Sequence, residues 1–122
     1  MPSRQDWAMQ TTLPRIDRES LREKIESGDE FVLVDALPPM SFATSHLPGA
    51  LNLTPDWVDG RAARRIPSLD TEIVVYCQNV DCESSVVVAN RLLELGYRNV
   101  CHYAEGKSDW AEAGLPLEGG RA

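Results

Sequence analysis

The chain predicts an α/β fold: a central, mainly parallel sheet of about five strands with helices on both faces. Three observations lead there. Phe31-Val32-Leu33-Val34-Asp35 and Ile73-Val74-Val75-Tyr76 are continuous apolar runs, the pattern of strands buried on both faces of a parallel sheet. Amphipathic segments of helical period stand between the strands. The connections are short, so neighbouring elements must pack as strand–helix–strand units.

Each element follows from local chemistry. Asp17 to Ser27 reads as a helix: Ile16, Leu21 and Ile25 are apolar, charged residues fill the other face, Asp17 can cap it and Gly28 stops it. Strand Phe31 to Asp35 follows, and Pro38-Pro39 breaks the chain. A short helix is expected around Ser41 to Ser45. His46-Leu47-Pro48-Gly49 is a turn, in which His46 serves as a structural hydrogen-bonding residue or as a general base. Ala50-Leu51-Asn52-Leu53 is a short strand. Pro55 to Arg65 is helical or irregular, anchored by Trp57. Ser85 to Leu95 carries the strongest helical pattern. Val86, Ala89 and Leu93 form one stripe, Val88, Leu92 and Leu95 widen it, and Gly96 ends it. Asn99 to Tyr103 is another strand, with Cys101 read as core. Ser108 to Ala113 is a last short helix, packed through Trp110 and closed by Gly114. Residues 1–15 are expected to be an arm, in which Trp7 and Met9 pack on the domain or on a partner. Residues 16–118 form the domain and 119–122 a tail.

Bulk properties narrow the function. At 122 residues and 43% hydrophobic, the chain can bury one core without disulfides or structural metal. Its net charge of -7 is spread along the sequence, which argues against nucleic acid or an anionic membrane as partner. The one basic cluster, Arg61, Arg64 and Arg65, is a solvated turn or a patch that attracts anionic substrates. No apolar run approaches the ~20 residues of a membrane span, and Met1 to Arg15 lacks a signal-peptide core. Three cysteines at these spacings do not suggest a disulfide framework, so a cytoplasmic, reducing compartment is expected. There is no glycine-rich phosphate loop, and neither a nucleotide nor another cofactor is expected.

The chemistry concentrates in one segment. A buried strand ends at Cys77, a polar loop follows, and a helix begins near Ser85. Ligands of open α/β sheets bind at the carboxyl ends of strands. A helix amino end favours thiolate over thiol. Cys77 is therefore the candidate nucleophile, and Gln78, Asn79, Val80, Asp81, Cys82, Glu83, Ser84 and Ser85 form the loop around it. Ser84 and Ser85 are expected to cap the helix. Cys82 is either a loop residue without a role or a resolving thiol that attacks an oxidised Cys77 and forms a disulfide with it. Asp35, at the neighbouring strand end, orients the loop or caps the helix after it. A zinc site using Cys77, Cys82, His46 and His102 is disfavoured, because no second cysteine pair exists.

Several motifs, in order, resemble the rhodanese (sulfurtransferase) family. They are Leu33-Val34-Asp35, the turn His46-Leu47-Pro48-Gly49-Ala50-Leu51-Asn52-Leu53, the strand Val74-Val75-Tyr76-Cys77, and Tyr103-Ala104-Glu105-Gly106 followed by Trp110 and Ala113-Gly114-Leu115-Pro116. The resemblance implies a single rhodanese-like domain in which Cys77 carries sulfane sulfur as a persulfide cradled by backbone N–H groups. A small sulfur donor and a thiol acceptor, or a protein acceptor, are the implied partners. The family loop usually reads Cys-x4-Arg-Ser. Here it is two residues longer, lacks the Arg, and holds Asp81 and Glu83; Leu37 stands where another Arg is often found. The loop resembles a subgroup with Tyr-Cys-x4-Cys. Without an Arg to bind it bidentately, thiosulfate should be a poor donor. Two other readings stay open: a Cys77/Cys82 thiol–disulfide module, and a non-catalytic protein-binding domain.

Overall fold

The computed structural model describes residues 13–119. The arm reading of Trp7 and Met9 lies outside the described residues. The element order is α1 (Arg18–Ser27), β1 (Val32–Asp35), α2 (Pro39–Thr44), β2 (Leu51–Asn52), α3 (Val58–Arg65), β3 (Glu72–Tyr76), α4 (Ser84–Glu94), β4 (Asn99–Tyr103) and α5 (Gly106–Glu112). The four strands form one parallel sheet in the order β2-β1-β3-β4. Arg15 adds a parallel bridge to His102 on the outer side of β4, so a fifth extended segment covers that edge. Among the described residues no helix is long and apolar enough to cross a membrane.

Strand β3 shows how the layers arise. Its side chains alternate, so Ile73 and Val75 enter one core while Val74 and Tyr76 enter the other. On the first face lie Val58 and Ala62 of α3 and Val88, Ala89 and Leu92 of α4. On the second lie Leu21 of α1 and Trp110 of α5. Burial on both faces is why β1 and β3 read as unbroken apolar runs.

Three elements differ from the sequence expectation. The buried side of α4 is Ser85, Val88, Ala89 and Leu92, while Leu93 faces solvent. The stripe is turned from the expected one because α4 packs on both the sheet and α3, and polar Ser85 is accommodated by a hydrogen bond to His102. Helix α2 starts at Pro39, a residue suited to a first helical position. Helix α5 starts at Gly106, two residues early. Its first-turn N–H groups of Lys107 and Ser108 bond the Cys77 and Gln78 carbonyls at 2.9 and 2.8 Å. A polar first turn satisfied by a distant loop has no local helical signature.

The carboxyl edge of the sheet is tied by a buried network. Asp35 is fully buried, and its carboxylate accepts from Tyr76 OH at 2.6 Å and from the Leu37 N–H at 2.8 Å. Tyr76 OH accepts in turn from the Leu47 N–H at 3.0 Å. Asn52 Nδ2 donates to the carbonyls of Asp35 and Leu37 at 2.9 and 2.8 Å. Burial raises the Asp35 pKa above 3.8, against the hydrogen bonds from Tyr76 and Leu37 and the charges of Lys107 and His46.

Two outcomes follow for stability. Asp35 binds its proton more tightly when folded, so its contribution is complete below the ordinary carboxylate value of 3.8 and is lost as pH rises through the raised native value. Urea denaturation across that window should show unfolding free energy falling with pH, and Asp35→Asn should remove that component of the slope. Gly106 has φ 73°, and a Cβ there would stand 2.6 Å from the Cys77 carbonyl oxygen and 2.8 Å from the Gln78 carbonyl. Gly106→Ala should therefore cost about 2 kcal/mol or more, read as a lowered urea midpoint at unchanged slope.

Candidate active site

The strand order creates the site. From β1 the chain moves outward to β2, then crosses back to β3 and on to β4. The reversal falls between β1 and β3, where Asp35 and Tyr76 are register partners. A crevice opens outside such a switch point. Cys77 is the next residue after Tyr76 and is 1% exposed.

The loop after Cys77 has two unlike halves. Cys77 and Gln78 are held by the α5 N–H groups described above, and Gln78 Nε2 donates to Ser108 Oγ at 2.8 Å. Asn79, Val80, Asp81 and Glu83 are exposed. This outer half closes on itself: the Cys82 N–H bonds the Asn79 carbonyl at 3.1 Å, and the Asp81 N–H bonds Asn79 Oδ1 at 3.0 Å. Cys77 and Cys82 are joined as a disulfide, with their Cα atoms 6.2 Å apart. Neither serine caps α4 as expected. The cap position is Glu83, whose side chain makes no capping bond, and Ser84 and Ser85 are the first helical residues. Ser85 instead pairs with His102 Nε2 at 2.8 Å. The first turn of α4 thus keeps N–H groups without a side-chain cap beside the loop, a favourable setting for a sulfur anion.

The other sequence candidates occupy distinct places. Asp35 lies at the adjacent strand end, but its hydrogen bonds go to Leu37 and Tyr76 and not to the cysteine loop. Nor does it cap α2, whose cap residue is Pro38. His46 is tied into the fold: its Nδ1 meets the Phe42 carbonyl at 2.8 Å, its ring stacks on Phe42, and its backbone pairs with Glu118. Burial and the charge of Arg15 lower the His102 pKa, which favours the neutral ring. Among the described residues no three His, Cys, Asp or Glu side chains are grouped as metal ligands would be. Cys101 is half-buried against the second core, where burial raises its thiol pKa. Arg61 lies over the Trp57 ring at 3.9 Å.

Residues missed at the sequence level are those of the α5 start. Lys107 is buried, and its Nζ donates to the carbonyls of Ser45 and Ser41 at 2.8 and 3.3 Å. A lysine beside Gly106 gave no local sign of burial. A cleft of about 230 Å³ beside the loop is lined by Pro38, Pro39, Pro55, Trp57 and Ser84, with Asp56 the one charged side chain in its wall. A larger cleft of about 610 Å³, between Phe31, Glu72 and Asn99, opens at the amino ends of the strands. Its lining has no cysteine and no basic side chain, so it offers neither a thiol nor a cationic anion receptor.

Known proteins match this arrangement. Residues 17–113 fit the rhodanese-like domain family. A sulfurtransferase of Allochromatium vinosum is 31% identical over 102 residues, covering 84% of this chain and 92% of that protein. The thiosulfate sulfurtransferase GlpE of Haemophilus influenzae is 36% identical over 87 residues, covering 71% and 79%. The solved structure of rhodanese with anions from E. coli superposes with a TM-score of 0.61 at 28% identity, over 73% of this chain and 98% of that one. With four parallel strands, helices on both faces and a cysteine at the switch point, the chain belongs to the rhodanese-like domain family.

Proposed function

We propose that Cys77 accepts sulfane sulfur as a persulfide and passes it to a thiol or another nucleophile. The observation that carries this reading is the position of Cys77: the end of β3, at the β1/β3 switch point, under a loop that leads into an uncapped helix start. In the loading step, the reduced Cys77 thiolate attacks the outer sulfur of a donor persulfide. A bond forms from Cys77 Sγ to that sulfur, the donor sulfur–sulfur bond breaks, and the donor leaves as a thiolate. Loop and first-turn N–H groups then stabilise the charge on the carried sulfur. The reading requires a reduced Cys77, as the cytoplasm would maintain.

The donor follows from charge. The loop from Gln78 to Ser85 contains no Arg or Lys and two carboxylates. The adjoining cleft is walled by Pro38, Pro39, Pro55 and Trp57 with the hydroxyls of Thr54 and Ser84, and its one charged side chain is an acid, Asp56. Thiosulfate, a dianion, finds no bidentate partner there, whereas a low-molecular-weight persulfide does not need one. Intact mass spectrometry of the reduced chain tests the proposal. A gain of one sulfur atom from the persulfide is expected, with loading from thiosulfate slower by about tenfold or more. Cys77→Ser should gain none; equal loading of that variant would sink the proposal.

A further inference from the structure

We infer that Cys82 is an internal acceptor for the Cys77 persulfide, so that the domain releases its sulfur as sulfide and is left as the Cys77–Cys82 disulfide. This deepens the persulfide reading and rests on it. The two cysteines already stand as bonded partners, with Cα atoms 6.2 Å apart. They sit on opposite halves of the loop. Cys77 is anchored through its carbonyl to Lys107 N–H, and the next residue, Gln78, to Ser108. Cys82 belongs to the outer half, whose hydrogen bonds close within its own turn. A fixed sulfur carrier thus faces a thiol on a segment that solvent surrounds.

Access points the same way. Cys77 is 1% exposed and Cys82 is half-buried. A nucleophile from outside meets Cys82 and its loop before it reaches Cys77 Sγ. Charge adds a second reason. Asp81 and Glu83 flank Cys82, and no cation lies in the loop to hold a persulfide anion. Repulsion from two carboxylates disfavours the persulfide anion and so favours the protonated persulfide, the form whose inner sulfur a thiolate attacks.

The step balances without an outside oxidant. With the persulfide protonated, the Cys82 thiolate attacks Cys77 Sγ. The Cys77–Cys82 bond forms, the bond from Cys77 Sγ to the outer sulfur breaks, and its electron pair leaves with that sulfur as hydrosulfide. Two cysteine thiols become a disulfide while the sulfane sulfur is reduced to sulfide. Two equivalents of a low-molecular-weight thiol then restore the dithiol and become a disulfide themselves.

The test is a single turnover. Reduced protein, freed of reductant, receives one equivalent of glutathione persulfide, and sulfide and intact mass are read from the same sample. The full chain should release close to one equivalent of sulfide and lose two hydrogens in mass. Cys82→Ser and Cys82→Ala should retain one added sulfur and release sulfide slower by about tenfold or more. If all three chains hold the added sulfur and release sulfide at one rate, the inference is overturned while the persulfide on Cys77 stands. If none gains sulfur or releases sulfide, the persulfide reading itself falls, and this inference with it.

Discussion

The site depends on a buried carboxylate held at the end of β1. Asp35 brings a polar group into a place with no solvent exposure, which is costly unless its lone pairs are filled. Tyr76 OH and the Leu37 N–H fill them. Because Tyr76 also accepts from Leu47, one small network binds β1, β3 and the turn before β2. These are the strand ends whose divergence opens the crevice. Net gains for such hydrogen bonds are about 1 kcal/mol each, but an orphaned buried partner costs about 1–3 kcal/mol. The network matters more for fixing where the strand ends stand than for overall stability.

The same edge also fixes one sulfur and leaves the other accessible. Gly106 lets α5 approach the Cys77 and Gln78 backbone closely, so two carbonyls of the loop are capped by α5 and not by water. Among the described residues, the hydrogen bonds of Asn79, Asp81 and Cys82 stay within their own turn, and Glu83 is tied only to α4, its carbonyl accepting from the Val87 N–H at 3.0 Å. Local opening favours segments with few tertiary contacts and exposed backbone. Cys82 lies on such a segment, and Cys77 does not.

Much of this was legible in the residues. Apolar runs marked β1 and β3, because burial on both faces leaves no polar alternation to confuse the pattern. Asp17 and Gly28 marked the ends of α1 and appear there as the side-chain cap and the left-handed stop. The strand-end position of Cys77 needed only the abrupt change from Val74-Val75-Tyr76 to a polar loop. What was hidden depends on partners distant in sequence. Ser84 and Ser85 looked like caps, but Ser85 turns to His102, seventeen residues on. Asp35 looked like a helix cap or loop orienter, yet its main partner, Tyr76, is on another strand. The α5 start was obscured because its polar first turn is satisfied by the cysteine loop.

Sulfur carriage and thiol–disulfide cycling need not be rivals at this site. A dithiol with one sulfane sulfur and a disulfide with one sulfide contain the same atoms and electrons. The loop only decides how they are divided. Where an Arg stands beside the carried sulfur, its charge holds the persulfide anion and an outside acceptor must come to it. Here the loop has no Arg and holds Asp81, Cys82 and Glu83. Two carboxylates oppose the anion, and a thiol stands next to the sulfur it would attack. On the proposed persulfide reading the departures from the usual loop act together: without a cation a persulfide on Cys77 is held less well, and Cys82 offers it a route to the disulfide and sulfide, from which thiols restore Cys77.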